Sequence, residues 1–202
     1  MQLLKPYLII FLFLHIKING ASPGPVVGEN GMVVSSCEYA SLAGIEILKK
    51  GGNAVDASVA TGFALAVTVP NAGNLGGGGF MVGVMSDKST FTLDFREKAP
   101  QKATKDMFLD YEGNIIPHMS LRNHAASGVP GTVHGLLNAL KDQGSGKVSL
   151  SQILAPAIKL ASKGFILSHE KANLFNSYRD LFEKNNAAKK IFIKKDKSLW
   201  KS

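Results

Sequence analysis

GGNAVDASVATGFALAVTVPNAGNLGGGGFMV, residues 51–82, is the stretch that decides the fold of this 202-residue chain. Asn53 suits the N-cap of a helix, and Asp56 stands at the third helical position, where the positive helix end stabilises a carboxylate. The helix is expected to run to about residue 68, because Pro70 disfavours helical backbone in the residue before it. Small residues occupy most of its faces, which predicts close packing on both sides and burial against a sheet.

Residues 76–79, called the glycine tract below, are four consecutive glycines. Glycine lets the backbone approach a neighbour or a ligand closely, and consecutive N–H groups can form an anion nest. No Gly-Lys-Ser/Thr follows, and a strand rather than a helix comes next, which excludes a Walker loop and a dinucleotide fingerprint. Two interpretations stay open: a tight turn where helix meets sheet, and backbone beside an active-site cleft.

Two strands are predicted after the glycine tract, at residues 80–85 and 90–95, joined by a polar turn. Apolar Phe91, Leu93 and Phe95 alternate with polar residues in the second strand. Because successive side chains of a strand point to opposite faces, one face of this strand belongs to the core.

Arg96 lies just past the end of the second strand, within DFREKAP at residues 94–100. An arginine at a strand end is well placed for bidentate hydrogen bonds with a substrate carboxylate. The neighbouring carboxylates of Asp94 and Glu97 leave a second interpretation open, in which Arg96 forms a structural ion pair.

Elsewhere the patterns predict a mixed fold in which helices dominate the second half. Residues 31–36 read as a short strand, with Ser36 capping the next helix, and residues 97–128 read as mainly irregular with a turn at 110–114. Further helix starts are predicted from Pro130, from a Ser149–Gln152 capping box, and from a Ser168 cap whose helix reaches about residue 184.

Residues 1–21 have the layout of a secretory signal peptide. Lys5 precedes an apolar run at residues 7–16, and small residues follow near a cleavage site at Gly20–Ala21. A membrane anchor, the alternative, needs roughly 20 apolar residues, and Lys17 interrupts this run. The sequence predicts a periplasmic or secreted protein that comprises residues 22–202 and does not associate with the membrane after cleavage.

The net charge of +8 is concentrated at the end of the chain, because residues 184–202 hold seven lysines and one aspartate. The remaining body is close to neutral, which argues against a nucleic-acid partner and favours a solvated end. Cys37 is the only cysteine, so no internal disulfide is possible. No metal-ligand spacing, GxSxG motif or activated thiol is visible, and we expect no metal and no cofactor.

Four runs together resemble the gamma-glutamyltranspeptidase family, whose members are also called glutathione hydrolases. The runs are residues 51–82, LDFREKAPQKATKDMFLD at 93–110, AASGVPGTVHGL at 125–136 and LAPAIKLASKGF at 154–165. The resemblance implies an α+β fold that is part of a four-layer αββα sandwich of the N-terminal nucleophile hydrolase type, incomplete in this chain. Residues 22–202 would be the N-terminal portion of the large subunit.

The resemblance also implies an activity. In this family a proenzyme cleaves itself into two subunits, and the new N-terminal threonine attacks the gamma-glutamyl amide of glutathione or a similar compound. The glutamyl group passes to water or to an amino acid or peptide acceptor. The implied partners are gamma-glutamyl small molecules and the C-terminal portion with its small subunit. Arg96 matches the family arginine that pairs with the alpha-carboxylate of the glutamyl group.

No catalytic residue is assigned, because the family's processing threonine and oxyanion-hole glycines lie farther downstream than this sequence extends. We nominate as nucleophile none of Thr61, Thr68, Thr90, Thr92, Thr104 and Thr132. The expectation is a truncated chain that is inactive alone. Two alternatives are a non-catalytic exported remnant or glutamyl-binding module, and a related acylase, which Arg96 disfavours.

Overall fold

The computed structural model describes residues 24–202. The predicted signal peptide at residues 1–21 lies outside the described residues and stays a prediction. The described helices and strands all lie in the compact unit Gly31–Ser202. Within residues 24–202, every helix is too short or too polar to cross a bilayer.

The predicted capping of the helix that begins after Asn53 is confirmed. Helix α1 spans Glu38–Lys49, and helix α2 spans Ala54–Thr68. The Asn53 side chain accepts hydrogen bonds from the backbone N–H groups of Val55 and Asp56, while the Asp56 carboxylate accepts the N–H of Asn53 at 2.8 Å. This reciprocal pair satisfies donors that a helix start otherwise leaves free.

The surroundings of α2 differ from the prediction of burial against a sheet. It packs mainly against three other helices: α1, α4 (Thr132–Gln143) and α5 (Leu150–Lys163). Its many alanines let neighbouring helix backbones come close, which explains the helical surroundings. A two-stranded sheet contributes to the same core through one face only.

The strand predictions are confirmed with each strand one residue shorter. Strand β1, Phe80–Val84, pairs antiparallel with β2, Thr90–Asp94, in the register Phe80↔Asp94. Met81, Phe91 and Leu93 pack on the core, whereas Phe80, Val82 and Val84 are exposed on the outer face. The α+β class is therefore observed as helices with one small hairpin.

The predicted strand at residues 31–36 is wrong. Its backbone forms no ladder, because the sheet of the described residues contains β1 and β2 alone. The predicted Ser36 cap is also wrong, since α1 has Cys37 at its N-cap, without a side-chain cap bond. Before the helix begins, the Ser35 hydroxyl accepts the N–H of Cys37 at 3.3 Å.

Residues 97–128 are mainly irregular, as predicted, with a four-residue helix α3 at Met119–Arg122 and a 3-10 turn at His124–Ala126. The predicted turn at 110–114 is present. The Asp110 carboxylate accepts the backbone N–H of Asn114 at 2.8 Å, and this bond is the main reason that the pKa of Asp110 is lowered.

The second half is helical, with two departures from prediction. Helix α4 starts at Thr132, two residues after Pro130, and the Ser149–Gln152 capping box of α5 is present. The single helix expected after Ser168 is divided at Tyr178 into α6, His169–Ser177, and α7, Arg179–Glu183.

The lysine-rich end is not simply a solvated tail. Residues Asn186–Phe192 form helix α8, and Trp200 folds back onto Asn176. The Trp200 N–H donates to Asn176 Oδ1 at 2.9 Å, and its indole N–H donates to the Phe192 carbonyl at 2.8 Å. Aromatic residues set among the lysines explain the difference, because their burial holds the backbone while most of the lysines stay exposed.

Candidate functional site

Arg96 is held by backbone bonds on both of its sides. The preceding residue, Phe95, donates its N–H to the Gly79 carbonyl at 3.0 Å, which continues the hairpin ladder. Two residues later, Lys98 and Val129 exchange backbone hydrogen bonds of 3.3 and 2.8 Å. The backbone that carries the guanidinium is therefore fixed between two anchors.

Two glycines press against this backbone. A Cβ on Gly78 would lie 2.5 Å from the Phe95 carbonyl oxygen and 2.7 Å from Arg96 Cα. A Cβ on Gly131 would overlap the same carbonyl oxygen. Gly78 is thus needed for close approach, and the group that it approaches is the segment that carries Arg96.

The guanidinium is largely open to solvent. The Arg96 side chain is 65% exposed, its Nε lies 3.6 Å from Glu97 Oε2, and its Cζ lies over the Phe80 ring, 5.8 Å from the centroid. Asp94 contacts Arg96 differently, because its carboxylate accepts the Arg96 backbone N–H at 3.0 Å.

This geometry leaves the guanidinium able to bind a carboxylate. An exposed pair contributes only about 0–1 kcal/mol, so the contact with Glu97 holds the guanidinium weakly. A ring packed against the face of a guanidinium leaves its N–H edge free for a carboxylate. Phe80, an exposed apolar side chain, lies beside the guanidinium.

Other residues singled out from the sequence serve the fold. Thr61 and Thr68 are buried, and their hydroxyls donate to the carbonyls of Ala57 and Ala64 at 2.8 and 3.0 Å. Cys37 is partly buried at the start of α1. Among residues 24–202, no group of three His, Cys, Asp or Glu side chains is arranged to hold a metal ion.

Two cavities among the described residues lie away from Arg96. One of about 450 Å³ is enclosed mainly by aromatic side chains of α6 to α8, including Phe175, Phe182 and Phe192. Another of about 300 Å³ separates α1 from α5 and includes Tyr39 and Lys159 in its lining. The arginine site is an open surface beside the hairpin, because the Arg96 side chain is largely exposed.

A sequence model of the family Gamma-glutamyltranspeptidase matches residues 40–202. The chain belongs to the gamma-glutamyltranspeptidase family. Two relatives named glutathione hydrolase proenzyme are similar to it. The protein of Pseudomonas sp. (strain A14) is 49% identical over 172 residues, which is 85% of this chain and 29% of that protein. The protein of Escherichia coli (strain K12) is 48% identical over 178 residues, which is 88% of this chain and 30% of that protein.

The fold is also that of solved gamma-glutamyltranspeptidases. The Helicobacter pylori gamma-glutamyltranspeptidase structure is similar with a TM-score of 0.83 and 46% identity, over 88% of this chain and 51% of that one. This likeness confirms the predicted fold class, a part of the family's sandwich. The chain spans about 30% of the length of the curated relatives that it matches.

Sequence reasoning did not place Phe80, Asn74 and Thr132 near Arg96. Phe80 was assigned only to a strand, and its position against the guanidinium was not predicted. Asn74 and Thr132 meet only in the tertiary structure, where the Thr132 hydroxyl donates to Asn74 Oδ1 at 2.6 Å. No local pattern joins positions that are 58 residues apart.

Gly78→Ala should destabilise the chain by about 3 kcal/mol, because the added methyl meets backbone atoms that cannot move aside. Gly76→Ala is the matched control in the same tract, since no atom lies within 4 Å of a Cβ placed there. Urea unfolding measures both free energies. Equal unfolding midpoints for the two variants would show that the close approach at Gly78 is unimportant.

Proposed function

We propose that the chain supplies the carboxylate-binding arginine of a gamma-glutamyltransferase and glutathione hydrolase. The observation that carries the proposal is the open guanidinium of Arg96 on a fixed backbone, in a chain of this family. The relatives' name, glutathione hydrolase proenzyme, supports glutathione and other gamma-glutamyl compounds as substrates.

The role of Arg96 would be to bind and orient. Its planar fork donates N–H bonds to both oxygens of the alpha-carboxylate, which fixes the gamma-amide at a set distance from the guanidinium. Phe80 supports the guanidinium from one face, and Glu97 makes a weak contact with its Nε. Cleavage of the amide and transfer to water or to an acceptor amine would depend on a nucleophile that we assign to no residue of this chain.

The second proposed partner is the remaining portion of the family's length, with its small subunit. The chain spans about 30% of its relatives, and the outer face of the hairpin exposes Phe80, Val82 and Val84. Exposed apolar patches of this kind commonly mark interaction sites. We therefore propose that the remaining portion covers this face of the hairpin.

A chimera tests the proposal directly. Residues 25–202 replace the matching segment of the Escherichia coli proenzyme, to which the chain is 48% identical. We expect release of the chromogenic amine from a gamma-glutamyl anilide. A chimera that folds and matures but shows no turnover, while the unmodified Escherichia coli protein is active, would contradict the proposal.

We further propose that the protein is exported. The support is the charged start, the short apolar run and the small residues of positions 1–21. When the gene is expressed in a bacterium with two membranes, the protein should appear in the periplasmic fraction with a new N-terminus near residue 21. Edman sequencing of that fraction is the measurement, and a cytoplasmic protein that keeps Met1 would contradict export.

A further inference from the structure

One side-chain oxygen joins two distant loops beside Arg96. Asn74 Oδ1 accepts the backbone N–H of Gly77 at 2.7 Å and the hydroxyl of Thr132 at 2.6 Å. Asn74 precedes the glycine tract, and Thr132 begins α4. Thr132 is only 7% exposed, so its hydroxyl has little access to water as an alternative partner.

The same two loops are joined a second time through the backbone. The Gly77 carbonyl accepts the N–H groups of Gly131 and Thr132 at 2.7 and 3.0 Å. Together, the Asn74, Gly77 and Thr132 bonds form what we call the Asn74 clamp. It uses one side-chain acceptor and one carbonyl to fix the distance between the glycine tract and the start of α4.

The Asn74 clamp closes on the backbone of the arginine. Gly78 follows the clamped Gly77, and Gly131 precedes the clamped Thr132. These are the two glycines that leave no room for a Cβ against Phe95 and Arg96. A change in the spacing of the two loops would therefore release or displace the segment that carries the guanidinium.

We infer that Asn74 and Thr132 are positioning residues, which set the direction of the Arg96 guanidinium toward a carboxylate without touching the ligand. The inference rests on the proposed function for the choice of ligand. A bidentate pair depends on direction more than a single hydrogen bond does, so a small shift of the Arg96 backbone should weaken carboxylate binding before it unfolds the chain.

Four variants separate the effect of the hydrogen bonds of the Asn74 clamp from the effect of side-chain size. Thr132→Val removes the hydroxyl at nearly constant shape, and Thr132→Ser keeps it. Asn74→Ala removes the acceptor, and Asn74→Asp keeps it. The probes are L-glutamine, whose one carboxylate is the alpha-carboxylate, and 4-aminobutanamide, which has none. Binding to the full chain is followed by NMR titration, and unfolding midpoints are measured in parallel.

We expect Thr132→Val and Asn74→Ala to weaken L-glutamine binding about tenfold, which corresponds to about 1.4 kcal/mol. Thr132→Ser and Asn74→Asp should bind L-glutamine about as tightly as the wild type. Binding of 4-aminobutanamide should stay unchanged. Equal losses for both probes, or failure of serine to restore binding, would overturn the positioning role and leave a purely structural one.

Amide exchange distinguishes this inference from the proposed function. If the wild-type chain binds no L-glutamine, the proposed ligand is wrong. The role of the Asn74 clamp is then tested by the amide hydrogen exchange rates of Lys98 and Val129. Their mutual hydrogen bonds anchor the Arg96 segment. Exchange there should rise about fivefold in Thr132→Val at constant global stability and return to the wild-type rate in Thr132→Ser. Unchanged exchange in Thr132→Val and Asn74→Ala would overturn the inference.

Discussion

Replacing Arg96 by alanine should lower kcat/KM of the chimera for a gamma-glutamyl anilide at least about 100-fold, or about 3 kcal/mol. The side chain is 65% exposed, so its removal leaves no buried group without a partner and should change the unfolding free energy little. The loss would come from the ligand, because each hydrogen bond between a guanidinium and a carboxylate contributes about 1.5–3 kcal/mol.

Two controls show whether Arg96 reads the alpha-carboxylate. Arg96→Lys keeps the charge and loses the planar fork. Its kcat/KM should be about tenfold below that of the unsubstituted chimera and above that of Arg96→Ala. The 4-aminobutyryl anilide lacks the carboxylate and should be a poor substrate, equally poor with and without Arg96. If Arg96→Ala slowed both anilides by the same factor, Arg96 would serve the fold or the chemistry and not carboxylate recognition.

Asp56→Ala should produce the largest loss of stability, about 4 kcal/mol, because Asp56 is fully buried and its carboxylate joins two segments. It accepts the N–H of Asn53 at 2.8 Å and the N–H of Ser145 at 3.1 Å. Alanine would leave two backbone donors without their acceptor and would also end the capping box of α2.

Asp56→Asn separates charge from shape. Asparagine keeps one acceptor oxygen but turns an NH₂ group toward backbone donors, so we expect an intermediate loss of about 2 kcal/mol. Asp142→Ala, at an exposed position of α4, is the matched control and should change the unfolding free energy by less than about 0.5 kcal/mol. Urea unfolding of the four proteins gives these values, and similar losses for Asp56→Ala and Asp142→Ala would refute the assigned role.

Local patterns were sufficient where local chemistry determines the structure. The capping of α2 by Asn53 and Asp56 and of α5 by Ser149 and Gln152 followed from side chains that bond to backbone within three residues. The alternation along β2 gave its core face, because the strand period is fixed by the backbone. The same reasoning failed at residues 31–36, where a strand requires a partner that local sequence does not specify.

The sequence by itself determined the family, the helices that carry caps, the hairpin and the nomination of Arg96. Only the tertiary structure decided that α2 is surrounded mainly by helices, that Phe80 lies under the guanidinium, and that Asn74 meets Thr132 across 58 positions. The physical reason is the distance along the chain over which each interaction acts. Caps and strand alternation act over a few residues, whereas the direction of a side chain at a site depends on packing between segments that are distant in the chain.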